Sequence, residues 1–212
     1  MNAGDGDDFI KLNSGGNVTI KTVDGKDTVM NSIEQNGADN SYISGGDGDD
    51  RIESYGNTST IHGDDGNDYI WSNNGLNITL DGGTGDDTIS FNITITGSYN
   101  AYALINGAAG NDQITLYKAG VGNTVNGGTG NDTVYNENTI AGNVYEYNSG
   151  DGNDLITGFT LSDTLIIAGT TYSTVKSGNN LIVSARKGAV TLQNAATLTG
   201  FNIIGNVGRR RQ

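Results

Sequence analysis

The chain has 212 residues, among them 34 glycines, with no proline, no cysteine and a formal charge of −13. Its 34% hydrophobic content is below the roughly 45–50% of ordinary globular domains and argues against a single thick core, while the charge argues against nucleic acid or anionic membrane as partner. The absence of cysteine removes disulfide and thiol chemistry, and no apolar run approaches the roughly 18 residues of a membrane span.

In chain order, one turn recurs eight times. It appears as AGDGDDFI from Ala3, a degenerate TVDGKDTV from Thr22, GGDGDDRI from Gly45, GDDGNDYI from Gly63, GGTGDDTI from Gly82, GAAGNDQI from Gly107, GGTGNDTV from Gly127 and SGDGNDLI from Ser149. The common form is G-G-x-G-[ND]-D-x-U, with U aliphatic. Successive inner glycines lie between 18 residues (Gly48 to Gly66) and 25 residues (Gly85 to Gly110) apart. Such a unit is too short for two helices and suits two short strands and two turns. The second turn is neutral, as in YGN at Tyr55, NNGLN at Asn73 and AGN at Ala141, and β-rich runs such as ITL at Ile78 and VYEY at Val144 follow it. Alternation places Ile10, Leu12, Ile70, Ile89, Phe91, Ile114 and Leu116 inward. The fold expected is all-β: a right-handed parallel β-roll or β-helix of about eight coils with one cation-binding edge, over residues 1–156. Bulged loops are expected around residues 31–40 and 92–100.

Stacked coils bring the acidic turns into one column at about 4.8 Å spacing. Seventeen of the 24 acidic residues fall in these turns, and few basic residues are near, so a hard cation is required to neutralise them. Calcium takes 6–8 oxygens from carboxylates and carbonyls, and glycine backbone freedom lets carbonyls aim inward. The donors expected are the carboxylates of Asp5, Asp8, Asp24, Asp27, Asp47, Asp50, Asp65, Asp68, Asp87, Asp112, Asp132, Asp151 and Asp154. With them go the turn residues Gly4, Gly6, Gly46, Gly48, Gly66, Gly83, Gly85, Gly110, Gly128, Gly130 and Gly152. Roughly four to seven ions are expected. No histidine or cysteine cluster favours zinc, no Lys-Ser/Thr completes a P-loop, and the Asp spacing is not that of an EF-hand.

These turns resemble the G-G-x-G-x-D-x-U-x nonapeptide of RTX, or hemolysin-type, calcium-binding proteins. The resemblance covers residues 3–156 and implies calcium held between same-side turns of neighbouring coils. It further implies a secreted or cell-surface bacterial protein that folds on calcium outside the cell, and the stretch after Asp154, which resembles the terminal segment of secreted RTX proteins, implies export by a type I system. The departure is that only alternate half-coils carry the motif, giving one calcium column and one neutral edge. The turn from Thr22 lacks both leading glycines and is the weakest of the eight.

After Asp154 the repeat stops. Longer apolar alternation and hairpin signals at Gly178-Asn179-Asn180 and Lys187-Gly188 predict a β-sandwich-like cap over 157–205, followed by a tail over 206–212 with Arg209–Arg211. The start, MNAGDGDDFI, lacks the basic and apolar stretches of a signal peptide and reads as mid-repeat, as in a piece of a longer chain. His62, the only histidine, reads as a packing or turn residue, and Lys11, Arg51 and Lys118 are scattered, so no enzyme is expected. Counting from the sixth-position Asp, Glu53, Tyr55, Trp71, Tyr117 and Tyr135 face outward. Tyr55, Trp71, Tyr117 and Tyr135 are candidate sugar-stacking residues. The second functional reading is therefore a calcium-dependent polysaccharide-binding module, similar to the R-modules of alginate epimerases, acting on a polysaccharide or host surface as a monomer.

Overall fold

The computed structural model describes residues 1–12, 16–31, 38–93, 101–118, 120–137, 141–200 and 202–207. Its strands are β1 (Phe9–Leu12), β2 (Thr19–Lys21), β3 (Thr28–Asn31), β4 (Tyr42–Asp47), β5 (Arg51–Ser54), β6 (Thr60–Asp65), β7 (Tyr69–Asn73), β8 (Thr79–Thr84), β9 (Thr88–Asn92) and β10 (Leu104–Ala109). They continue as β11 (Gln113–Tyr117), β12 (Thr124–Thr129), β13 (Thr133–Glu137), β14 (Val144–Asn148), β15 (Gly152–Thr157), β16 (Thr164–Ser177), β17 (Asn180–Ser184), β18 (Gly188–Leu192) and β19 (Asn202–Val207). Among the described residues no helix is long and apolar enough to cross a membrane. The loops expected around 31–40 and 92–100, and the tail beyond 207, lie mostly outside the described residues.

The chain is a parallel β-solenoid of two facing sheets. The first sheet runs β2-β4-β6-β8-β10-β12-β14-β16-β19, every neighbouring pair parallel. The second runs β1-β3-β5-β7-β9-β11-β13-β15-β18, again parallel throughout. First-sheet strands run into the acidic turns and second-sheet strands leave them. Alternation then sends one residue in two into the gap between the sheets. From the first sheet come Ile20, Ile43, Ile61, Leu80, Ile105, Val125 and Tyr145; from the second come Ile10, Val29, Ile52, Ile70, Ile89, Ile114 and Val134, and all are buried. The predicted inward residues are all in this core, Leu12 only partly buried. Each buried aliphatic side chain contributes about 1.5–3 kcal/mol, so the few per coil form a thin core, in keeping with the low apolar content.

The stretch 157–205 extends both sheets instead of covering them with separate layers. The first half of β16 pairs with β14 and then β19, and β18 pairs with β15, all parallel. Only β17 is antiparallel, lying between the second half of β16 and β18. Period-two alternation is the same for parallel and antiparallel partners, so the sequence could not separate the two outcomes.

At the edge opposite the acidic turns, five coils have a left-handed residue two positions before a first-sheet strand: Asn17 (φ 57°), Asn40 (54°), Thr58 (55°), Asn77 (53°) and Tyr102 (50°). The first four donate main-chain amides to the residue before the next member of the column, at 2.8–2.9 Å. Asparagine tolerates this conformation, whereas a β-branched residue is strained there. Thr58→Asn is therefore expected to stabilise by about 0.5–1 kcal/mol, raising Tm by about 1–4 °C in a chain of this length. A thermal melt with unchanged or lower Tm would count against strain at Thr58. This edge also carries two aspartates where neutral turns were expected. Asp39 accepts the Asn57 amide at 2.7 Å, and the buried Asp163 accepts the amides of Asn143 and Thr160, each at 2.8 Å.

Candidate metal centre

The sixth-position aspartates form an unbroken ladder on the inner side of the acidic edge. The amide of Asp8 donates to Asp27 Oδ1, that of Asp27 to Asp50, and so on through Asp68, Asp87, Asp112 and Asp132 to Asp154, at 2.7–3.1 Å. One carboxylate oxygen is thereby committed to the main chain of the preceding coil. The other, Oδ2, is buried and without a hydrogen-bond partner in Asp27, Asp50, Asp68, Asp87, Asp112 and Asp132. Orphaned buried acceptors are costly and uncommon in folded proteins, and here six stand in one column.

The orphaned oxygens lie against the first-position glycines. A Cβ on Gly45, Gly63, Gly82 or Gly107 would sit 2.1–2.3 Å from Oδ2 of Asp50, Asp68, Asp87 or Asp112, respectively. It would also sit 2.3–2.6 Å from the carbonyl oxygen of the next coil's first glycine, Gly63, Gly82, Gly107 or Gly127. Each of these four coils thus has a cradle in which a carboxylate oxygen and a main-chain carbonyl converge over a Cα that carries no side chain. At Gly127 the three nearest atoms all belong to Asp132. These glycines are not in the left-handed region; they are needed for lack of room. Among the described residues no three carboxylate or imidazole side chains converge as a metal-binding group. A cation here therefore depends on main-chain carbonyls together with single carboxylates, the oxygen donors that suit calcium.

Burial, opposed by the amide bond and reinforced by neighbouring carboxylates, pushes these aspartates above the ordinary range. Asp50 and Asp87 rise to about 6, and Asp68, Asp112 and Asp154 to about 7, from 3.8. Between these limits the folded chain holds more protons than the unfolded one. The stability these groups contribute is whole below about pH 4 and is lost as pH rises through 6 to 7. In excess chelator, the folded fraction is therefore expected to rise as pH is lowered from 7.5 to 5; a folded fraction that does not rise over that interval would contradict the burial of these carboxyls.

The other predicted donors are placed differently. The third-position residues Asp5, Asp24, Asp47 and Asp65 are exposed, while Asp151 is buried and accepts the Asn148 amide at 2.6 Å. Asp8 is half-buried at the first coil. Gly46, Gly83 and Gly128 are left-handed (φ 97–110°), as are Gly6, Gly48, Gly66, Gly85, Gly110, Gly130 and Gly152 (φ 104–148°); Gly4 is not. From Gly48 to Gly152, a Cβ on each fourth-position glycine would lie only 1.5–2.1 Å from the carbonyl oxygen of the preceding one. The first-position glycines were absent from the predicted donors. Their signal was the leading G of the motif, read there as a demand for backbone freedom.

A second ladder lies outside the first and runs the other way. The amide of Asn67 donates to Asp49 Oδ1, and the pattern repeats from Asp86 to Asn67, Asn111 to Asp86, Asn131 to Asn111 and Asn153 to Asn131, at 2.7–3.1 Å. On the outer face of the second sheet, Tyr55 meets Trp71 edge to face, with centroids 5.4 Å apart at 87°. Arg51 lies over the Tyr69 ring at 4.4 Å. Tyr117 and Tyr135 are exposed farther along the same face. His62 faces outward from the first sheet against Tyr42, centroids 5.5 Å apart.

A family model described as the RTX calcium-binding nonapeptide repeat matches in four copies, over residues 37–57, 44–78, 79–91 and 120–135. No curated protein matches the chain. Among solved structures, the crystal structure of extracellular lipase LipA from Serratia marcescens aligns with a TM-score of 0.49 and 17% identity, over 86% of this chain. The chain spans 40% of that protein's length. Over residues 37–91 and 120–135, the acidic turns that stack on one edge of the parallel β-solenoid match the RTX calcium-binding nonapeptide repeat, and three of the four cradle aspartates, Asp50, Asp68 and Asp87, fall in that span.

Proposed function

We propose that this chain is a structural repeat region, ordered by calcium, of a secreted or cell-surface bacterial protein. The observation that carries the reading is the set of four cradles, in which the orphaned Oδ2 of Asp50, Asp68, Asp87 or Asp112 meets a glycine carbonyl of the next coil. Calcium bound there supplies positive charge to the carboxylate column and accepts oxygen ligands from both coils. The chain's own part is to hold each carboxylate by its Oδ1 amide bond, so that Oδ2 has one direction left. Four ions are expected, one per cradle. The exposed third-position aspartates then act as a screening rim that raises local cation concentration. Extracellular calcium modules bind at roughly 10⁻⁴–10⁻³ M, so a cytosolic chain stays unfolded and suited to type I export. Calorimetric titration tests this: calcium uptake with β-structure gained, at concentrations far below those at which magnesium acts. Equal midpoints for the two ions would refute the oxygen-cradle assignment.

A second reading is favoured by the Tyr55–Trp71 and Arg51–Tyr69 pairs. Around them the outward columns of the second sheet are mostly Thr, Ser, Asn, Gln and aromatic, with Met30 and Leu155 aliphatic and Lys11 and Arg51 balanced by Glu53 and Glu137 on a chain of −13. This face suits a polysaccharide stacked on Tyr55, Trp71, Tyr117 and Tyr135. A glycan array run with calcium, followed by Trp71→Ala on any hit, decides it; no binding to any glycan leaves the structural reading alone. Neither reading assigns a catalytic step.

A further inference from the structure

The second coil departs from the cradle pattern at three positions at once. Thr22 stands where Gly45, Gly63, Gly82 and Gly107 stand in later coils. It is buried, and its hydroxyl donates to the carbonyl oxygen of Gly45, and at 3.2 Å to that of Ser44. In the next four coils, the carbonyl equivalent to that of Gly45 faces an orphaned aspartate oxygen across an empty Cα position. Here it faces a hydroxyl and a β-branched side chain. Val23 stands where Gly46, Asp64, Gly83, Ala108 and Gly128 are all left-handed (φ 77–110°), and Val23 is not, as sterics require of a β-branched residue. Lys26 stands where Asp49, Asn67, Asp86, Asn111 and Asn131 carry the outer ladder. It has no acceptor to offer, and its ammonium pairs instead with Asp49 at 2.5 Å.

We infer that the junction between the second and third coils is fastened without calcium. Thr22 fills the cradle and takes its carbonyl, Lys26 brings the positive charge, and the ion column begins over Gly45. This rests on reading the later cradles as calcium sites. Asp24 and Asp27, expected as donors, are then not ligands in this chain. Asp27 Oδ2 nevertheless stays buried and unpartnered like its counterparts, so the remaining half of a site is already in place. Removing the side chain of Thr22 and relaxing Val23 completes it.

The test is the number of calcium ions per chain, by native mass spectrometry with calorimetric titration, on the full chain and three variants. Thr22→Gly/Val23→Gly is expected to bind one ion more than wild type, and Thr22→Gly alone to gain the same site more weakly. Thr22→Val, which keeps the bulk and removes the hydroxyl, is expected to match wild type. A Thr22→Val chain that binds one ion fewer would show the hydroxyl to be a ligand and overturn the inference. So would glycine variants with native circular dichroism and wild-type stoichiometry. Thr22→Val decides the question even where the glycine variants lose their β-structure. A wild-type chain that takes up no calcium is a different failure: it removes the calcium reading itself, and this inference with it.

Discussion

In excess chelator at pH 7.5 the chain is expected to lose its β-rich far-ultraviolet circular dichroism and to expand to the hydrodynamic radius of an unfolded polymer. Millimolar calcium is expected to restore both in one steep transition. The argument is one of magnitudes. Total stabilities are about 5–15 kcal/mol. A ligand that binds only the folded state contributes about 2.7 kcal/mol per site at a hundredfold excess over Kd, so four cradles contribute about 11 kcal/mol. That is as large as the whole stability of an ordinary domain, and this roll starts with a thin core and six orphaned carboxylate oxygens. The steepness follows from geometry, because each cradle takes donors from two coils and is complete only when both are folded. A compact, β-rich protein persisting in chelator at pH 7.5 would show that the fold stands without the ion.

Alanine at a fourth-position glycine is expected to be far more damaging than alanine at a glycine that is merely left-handed. A Cβ on Gly110 (φ 148°) would lie 1.8 Å from the main-chain oxygen of Gly85, which no rotamer change can move aside. The coils would have to separate there, breaking the strand pairing and both ladders on either side. Gly110→Ala should therefore exceed about 4 kcal/mol, the range reserved for gross disruption. Gly169 is also left-handed (φ 71°) but has nothing within 4 Å of its Cβ position, so Gly169→Ala should cost only about 1–2 kcal/mol of backbone strain. Urea midpoints measured side by side in saturating calcium give the comparison. Similar losses for the two variants would mean that close coil stacking at Gly110 does not limit stability.

The two-sheet roll was legible because its causes are periodic. Alternation of two placed Ile70, Ile89 and Ile114 inward, and the recurring sixth-position Asp marked the ion edge. The repeat could not say which oxygens point where. Asp47 and Asp50 look alike in GGDGDD, yet one is exposed and the other buried. The difference is that the sixth residue, just before a second-sheet strand, faces inward, while the third, the last residue of a first-sheet strand, faces solvent. The first-position glycines were visible but given the wrong reason, since steric room between coils is a property of the stack and no single turn carries it. Asp39 and Asp163 were not anticipated as caps because nothing local distinguishes a carboxylate that accepts amides from one that is solvated. Tyr145, fully buried in a column of aliphatics, followed the alternation but not the residue type.

Among the described residues of the repeats, each coil is hydrogen-bonded to the one before and the one after it, by strand pairing and by two side-chain ladders of opposite sense. Tension along the roll's axis meets these junctions in series. Every junction carries the same load, but an end coil is bonded on one side only, so it gives way first and peels off like tape from a spool while the rest stays intact. Each release lengthens the chain by about 65 Å for a coil of 19 residues and about 85 Å for the longer turn between Gly85 and Gly110. As a tether, such a roll would yield in measured steps and rewind from whichever end remains folded.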